Sequence, residues 1–229
     1  MKPIIAIGDV HGLFLWTHIV QQMDKFRFVF LGDYLDPYTP IDPELLCSNL
    51  SAIIKLKKEY PEDVTLLIGN HDIHYIYDDA PRSSRYNPDI AEEARKLFTQ
   101  DISLFQNAYQ EGKTLFTHAG VSQEWFDGDF HGDVTKSIAD QLNNPTEEQR
   151  RSLYRIGPLR GGRFGPFGGD FGGIYWADID ELTNPLHGFQ QIVGHNRVRS
   201  PKVRIGQEGG KIVFCDCLWT DEYYQVEPF

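Results

Sequence analysis

Five times along this chain a short apolar, β-rich run stops at or beside a glycine, and a residue able to hold a metal ion follows at once. Gly8 precedes Asp9, with His11 two residues on, and Gly32 precedes Asp33, with Asp36 nearby. Gly69 leads into Asn70 and His71, Gly194 into His195, and Thr117-His118-Ala119-Gly120 repeats the arrangement with its glycine displaced. Glycine lets a strand turn sharply and lets a ligand approach the backbone. Ligands of α/β folds gather beyond the carboxyl ends of the strands. Any one of these motifs arises by chance; five successive strand ends carrying ligand-type residues do not.

The segments between them alternate. The sequence predicts strands at 3–7, 26–31, 64–68 and 113–117, and helices at 14–23, 43–60 and 90–109. The second of these helices has Pro43 in its first turn and Pro61 just past its end. The last shows Ala94, Leu97, Phe98, Ile102 and Phe105 at helical spacing. This β-α-β-α order implies a largely parallel sheet covered on both faces. Residues 133–154 read as two short helices broken near Pro145. Residues 157–173 carry eight glycines, too many for a regular element, and read as a long surface loop. Short strands follow at 191–193, 202–205, 211–217 and 223–226. The 229 residues suffice for one substantial α/β domain, and no linker or internal repeat divides them.

Composition narrows the chemistry. A formal net charge of −11 is unsuited to gripping long nucleic acid or an anionic membrane, both of which call for basic surface. No apolar stretch approaches the roughly 20 residues that span a bilayer, and the N-terminal run reads as a first strand and not a signal peptide. Three cysteines, Cys47, Cys215 and Cys217, make no disulfide framework and place the chain in a reducing, cytoplasmic setting. Cys215 and Cys217 would share one face of a strand as small buried residues.

Asp9, His11, Asp33, Asn70, His118 and His195 offer carboxylate, imidazole and amide donors without a thiolate. That donor set suits two borderline or hard divalent cations, manganese first, with iron, zinc, cobalt and nickel also fitting. A carboxylate at a strand end, here Asp33, bridges cations about 3.5–4 Å apart, and water held between them is acidified toward a hydroxide nucleophile.

The ordered motifs Gly8-Asp9-Val10-His11-Gly12, Gly32-Asp33-Tyr34-Leu35-Asp36, Gly69-Asn70-His71-Asp72, Thr117-His118-Ala119-Gly120 and Gly194-His195 resemble those of the calcineurin-like metallophosphoesterases. The opening motif is most similar to the phosphoprotein phosphatase branch, which includes symmetrical dinucleoside tetraphosphatases. The resemblance implies a four-layer αββα sandwich forming a single domain over 1–229. It implies that Asp9, His11 and Asp33 hold one metal, and Asp33, Asn70, His118 and His195 the other. It also implies that His71 donates a proton to the leaving oxygen while Asp36 orients it. The expected activity is hydrolysis of a phosphomonoester or a nucleotide phosphoanhydride, on a small phosphorylated molecule or a phosphoprotein. A phosphodiesterase acting on a small nucleotide and a non-catalytic binding module of the same fold are the alternatives. The oligomeric state is open.

That branch carries phosphate-binding arginines after the second Asp of Gly-Asp-x-x-Asp and before Gly-Asn-His; here Pro37 and Ile68 stand there. Candidate replacements are Arg160 and Arg163 in the glycine-rich loop and Arg82 and Arg85 after the Gly-Asn-His motif, with Arg197 and Arg199 weaker. His74 fits no ligand slot and reads as a supporting residue. Trp176 reads as packing.

Overall fold

The computed structural model describes residues 2–162 and 165–227. In chain order the strands are β1 (Ile4–Ile7), β2 (Arg27–Phe30), β3 (Val64–Leu67), β4 (Phe105–Gln106), β5 (Ala108–Glu111), β6 (Thr114–Thr117), β7 (Gln190–Arg197), β8 (Lys202–Ile205), β9 (Lys211–Asp216) and β10 (Tyr224–Gln225). The α-helices are α1 (Trp16–Ile19), α2 (Pro43–Glu59), α3 (Asn70–Ile76), α4 (Ala91–Gln100), α5 (Gln123–Gly128), α6 (Ile138–Asn143) and α7 (Glu147–Leu153).

Two five-stranded sheets result, ordered β10-β1-β2-β3-β4 and β5-β6-β7-β9-β8. β1 to β4 run parallel in register Ile5↔Phe28, Phe28↔Val64 and Leu66↔Phe105, and β10 closes the edge antiparallel. In the second sheet β6, β7 and β9 are parallel, flanked by antiparallel β5 and β8.

The period-two alternation of strands sorts the side chains into layers. Ile5, Ile7, Phe28, Phe30 and Leu66 face α2 and α4, in a cluster with Leu50, Ile53 and Phe98. Their neighbours Ile4, Ala6, Val29, Leu31 and Leu67 face the other way and meet Phe116, Ile192, Val213, Cys215 and Cys217 of the second sheet. The two cysteines thus do share one face, as small apolar filler between the sheets. Val193, Ile212 and Phe214 point outward onto Ala177 and Leu182. On β5, α6 is docked by Asn143, whose Oδ1 accepts from the Asn107 and Ala108 amides at 2.8 and 3.0 Å. The order is the four-layer one expected.

Local signals explain α2: the Asp42 carboxylate caps the amides of Glu44 and Leu45, Pro43 fills the first turn, and Lys57 and Lys58 lie at the negative end. The two helices around Pro145 also form as expected, capped by Ser137 and Thr146. Other expectations need correction. The helix read over 90–109 stops at Gln100, because Phe105 pairs with Leu66 to add a strand and Ala108 to Glu111 pair with β6. The helix read over 14–23 shrinks to α1 and a 3₁₀ turn, and α3 and α5 were not anticipated. Within 157–173 the described residues form only a 3₁₀ turn, Pro158–Arg160, and a bridge of Ile156 to Gly168. No helix among the described residues is long and apolar enough to cross a membrane.

Candidate metal centre

The residues that follow β1, β2, β3 and β6 converge with His195, which sits inside β7 where its register with β9 shifts between Val193 and Arg197. Asp9, His11 and Asp33 offer ligand atoms all within 4.8 Å of one another, and so do Asp33, His118 and His195. Asp33 belongs to both groups. Asn70 completes the second: its Oδ1 lies 2.9 Å from His118 Nε2 and 2.9 Å from His195 Nδ1.

The imidazoles are aimed by their other nitrogens. His11 Nδ1 donates to the Leu35 carbonyl at 2.8 Å and His118 Nδ1 to that of Leu31 at 2.8 Å. Each ring therefore presents its Nε2 lone pair to the carboxylates, the tautomer that ligates a cation. Asn70 is oriented likewise, since Nδ2 donates to Ser83 Oγ at 2.9 Å while that hydroxyl donates to the Asn70 carbonyl at 2.5 Å. His195 Nε2 is buried without a hydrogen-bond partner among the described residues.

The electrostatics ask for cations. Burial, with Asp216 and Asp72 as neighbours, drives Asp9 and Asp33 well above the usual carboxylate range. Neither pairs with a lysine or arginine among the described residues; the imidazoles beside them are those of His11 and His118. Burial also pushes His11 and His118 down to about 3, so both stay neutral and ligand-competent in mild acid. A donor set of buried carboxylates, neutral imidazoles and an amide oxygen fits a pair of divalent cations.

The backbone is bent to achieve this. His11, Asp33, Asp36 and His195 all have φ between 43° and 58°, a left-handed conformation costly for non-glycine residues. Gly194 has another reason to be glycine: a Cβ there would run into Asp9 Oδ1, which accepts from the His195 amide at 2.9 Å. Gly194→Ala is therefore expected to lower metal affinity at least about tenfold by displacing Asp9, as measured by calorimetric manganese titration.

Beside the ligands, His71 Nδ1 donates to Asp36 Oδ2 at 2.8 Å, and its amide donates to Asp33 Oδ1 at 2.8 Å. Asp36 also accepts from Tyr75 Oη at 2.6 Å, and His74 Nε2 stands 3.0 Å away, off the line of a good hydrogen bond. Burial alone would raise Asp36; contacts from His71, His74 and Tyr75 outweigh it and hold the carboxylate below its ordinary range. Burial lowers His71, and Asp36 partly offsets this.

The four arginines singled out from the sequence part company. Arg85 reaches the centre: Nη2 lies 3.3 Å from His71 Nε2, and Nε donates to the Asp36 carbonyl at 2.9 Å. Arg82 lies over the Tyr86 ring, 4.8 Å from its centroid. Arg160 is held by Asp178 at 2.7 Å and by Asn196 at 2.6 Å. Arg163 lies outside the described residues. Arg197 stands over the Tyr38 ring at 4.4 Å, the ring that Arg85 covers at 3.9 Å.

Sequence reading missed two buried carboxylates. Asp72 ties the second and third motifs together, accepting from the amides of Gly69, Asp33 and Tyr34 at 2.7 to 3.0 Å. Its place at the third residue of α3, where a capping acid belongs, was the available signal. Asp216, between the two cysteines, is raised by burial to about 7 and lines the cleft beside Asp9 and His11. That cleft, about 200 Å³, opens onto the centre; clefts of about 450 and 480 Å³ lie elsewhere and touch no ligand named above.

Known proteins resemble this chain to different degrees. The family model of the calcineurin-like phosphoesterases matches residues 2–186. The serine/threonine-protein phosphatase 6 catalytic subunit of Drosophila melanogaster is 24% identical over 207 residues, 85% of this chain and 57% of that protein. A protein phosphatase 2A catalytic subunit of Dictyostelium discoideum is 35% identical over 80 residues, 33% of this chain and 24% of that protein. This chain therefore spans little more than half the length of the first of these relatives and a quarter of the second. The structure of a cold-active protein-tyrosine phosphatase from a psychrophilic Shewanella superposes with a TM-score of 0.53 at 20% identity, covering 95% of this chain and 71% of that one, a likeness of fold. With the family model running through four of its five strand-end motifs, the chain belongs to the calcineurin-like phosphoesterases.

Proposed function

We propose that this chain hydrolyses a phosphate ester at a pair of divalent metal ions. The observation that carries the reading is that one carboxylate, Asp33, belongs to both ligand groups. The family's dependence on divalent metals and its phosphatase members support it. Asp9, His11 and Asp33 would hold one ion, and Asp33, Asn70, His118 and His195 the other, with manganese the best match to the donors. Such ions supply charge neutralisation at the phosphoryl group and water acidic enough to attack near neutral pH.

The chain's own residues do the rest. Arg85 gives its guanidinium to the phosphoryl oxygens, a charge-assisted contact that stands in for the arginines replaced by Pro37 and Ile68. Taking that role moves Arg85 off His71 Nε2 and leaves this nitrogen facing the leaving oxygen. His71 donates its proton there as general acid, while Asp36, itself held by Tyr75, fixes the ring and favours its charged form. Arg160, engaged by Asp178 and Asn196, instead supports the β7 end that carries His195. We take 1–229 as one such domain acting in a reducing, cytoplasmic setting, consistent with three free thiols. The substrate is a phosphorylated side chain or small molecule; a net charge of −11 disfavours long nucleic acid.

The test is hydrolysis of para-nitrophenyl phosphate, its bis-ester and a dinucleoside polyphosphate by chelated and by manganese-reloaded protein. Manganese-dependent turnover of the monoester supports the reading, and no turnover of any of the three opposes it. Metal affinity carries its own pH signature. Asp9 and Asp33 bind protons more tightly than free carboxylates, whereas His11 and His118 stay neutral down to about 3. Protons therefore compete for the carboxylates alone, and affinity is expected to fall at least about tenfold from about pH 7.5 to about pH 5.5. Calorimetry in buffers of different ionisation enthalpy checks this by counting the protons released.

A further inference from the structure

The cleft that opens onto the metal centre is not a generic phosphate basin. Its walls include Tyr38 and Trp219, two large aromatic side chains left 49% and 36% exposed, with Leu13 and Pro37 beside them. Between the two rings lies Arg197, 4.4 Å from the Tyr38 centroid and 4.1 Å from that of Trp219. The shelf is fixed: Trp219 Nε1 donates to the Val198 carbonyl at 3.0 Å, and Thr220 Oγ1 bonds to the Arg199 and Cys217 carbonyls at 2.8 and 2.7 Å. It also adjoins the reacting end, for Tyr38 meets the His11 ring edge-on at 4.9 Å, and His11 meets His71 at 5.2 Å.

From this juxtaposition we propose that the substrate is an aryl phosphate monoester, of which a phosphotyrosyl side chain is the natural form. Its ring would lie on the Tyr38–Arg197–Trp219 shelf while its phosphate meets the metals and Arg85. The inference rests on the two-metal reading and adds the leaving group to it. Two observations decide for one ring. A cleft of about 200 Å³ is smaller than the 300–1,000 Å³ or so of sites that enclose drug-sized ligands, which favours a single ring over a dinucleotide. The Arg197 guanidinium, with the exposed parts of Tyr38 and Trp219 beside it, rewards a flat π-system, whereas the short stem of a phosphoserine would leave them in water. In the reaction the water oxygen bonds to phosphorus and the phosphorus–aryloxygen bond breaks. The electron pair stays on the phenolic oxygen, which takes the His71 proton, and inorganic phosphate and a phenol leave.

Calorimetric titration of manganese-loaded protein with phenylphosphonate, propylphosphonate and inorganic phosphate separates this proposal from the reading beneath it. Phenylphosphonate is expected to bind about tenfold tighter than propylphosphonate. Trp219→Leu and, independently, Tyr38→Leu are expected to bring that ratio close to one. Equal affinities in the unaltered protein, with inorganic phosphate still bound, would overturn the aryl proposal and leave the two-metal reading intact. A ratio untouched by both substitutions would overturn the shelf. Failure of all three anions to bind, with or without manganese, would remove both.

Discussion

Asp33→Asn is expected to cut turnover on the order of a thousandfold and to reduce metal content below two ions per chain. The magnitude follows from removing the shared carboxylate, and with it several kcal/mol of charge neutralisation at the phosphoryl group. The substitution is nearly isosteric, and asparagine Oδ1 still accepts from the His71 amide, as Asp33 Oδ1 does at 2.8 Å. Folding should therefore survive. Stability gives an independent sign. Asp33 is buried and raised well above its ordinary range, so ionising it in the metal-free fold costs stability as pH rises. In chelator, the variant should melt at or above the temperature of the unaltered protein. With manganese the order should reverse, because only the unaltered protein gains full binding energy. Metal analysis, steady-state kinetics and thermal melts with and without chelator check the three parts together.

His71→Ala separates proton donation from metal binding. His71 hydrogen-bonds to the ligands only through its backbone amide, to Asp33, so two metals should remain while kcat falls on the order of 10²- to 10³-fold. The fall should be steeper for an alkyl phosphate, whose oxygen needs a proton to leave, than for para-nitrophenyl phosphate, whose oxygen leaves as an anion. KM should move little by comparison. Equal losses on both substrates, or loss of metal, would assign His71 a structural role instead. Asp36→Asn should reproduce part of the kcat loss, since Tyr75 would still donate to the side chain while the charge favouring protonated His71 is gone.

Both expectations concern residues legible in the chain before any geometry was known, and the reason is local. A strand that ends in glycine places its next residue at the rim of the sheet, so Asp9, Asp33, Asn70 and His195 announce themselves by neighbours one residue away. The alternation of β1 and β2 likewise foretells which side chains face the helices. What stayed hidden depends on distant partners. Phe105 fits a helical spacing from Ala94 and Phe98, yet its pairing with Leu66 makes it a strand residue. Asp216 looks like a polar interruption between two apolar cysteines until β9 is laid beside β7, opposite Arg197. Arg85 and Arg197 are separated by about half of the chain and meet only on the Tyr38 ring. No spacing rule couples them, and the same holds for Trp219. The motifs thus marked the candidate ligands, whereas the cleft around Tyr38 is assembled by contacts between residues far apart in the chain.

The most direct test of a two-metal centre is anomalous diffraction from crystals of the manganese-loaded protein. The expected result is two peaks, one among Asp9, His11 and Asp33 and the other among Asp33, Asn70, His118 and His195. A single peak, or manganese bound away from Asp33, would contradict the account.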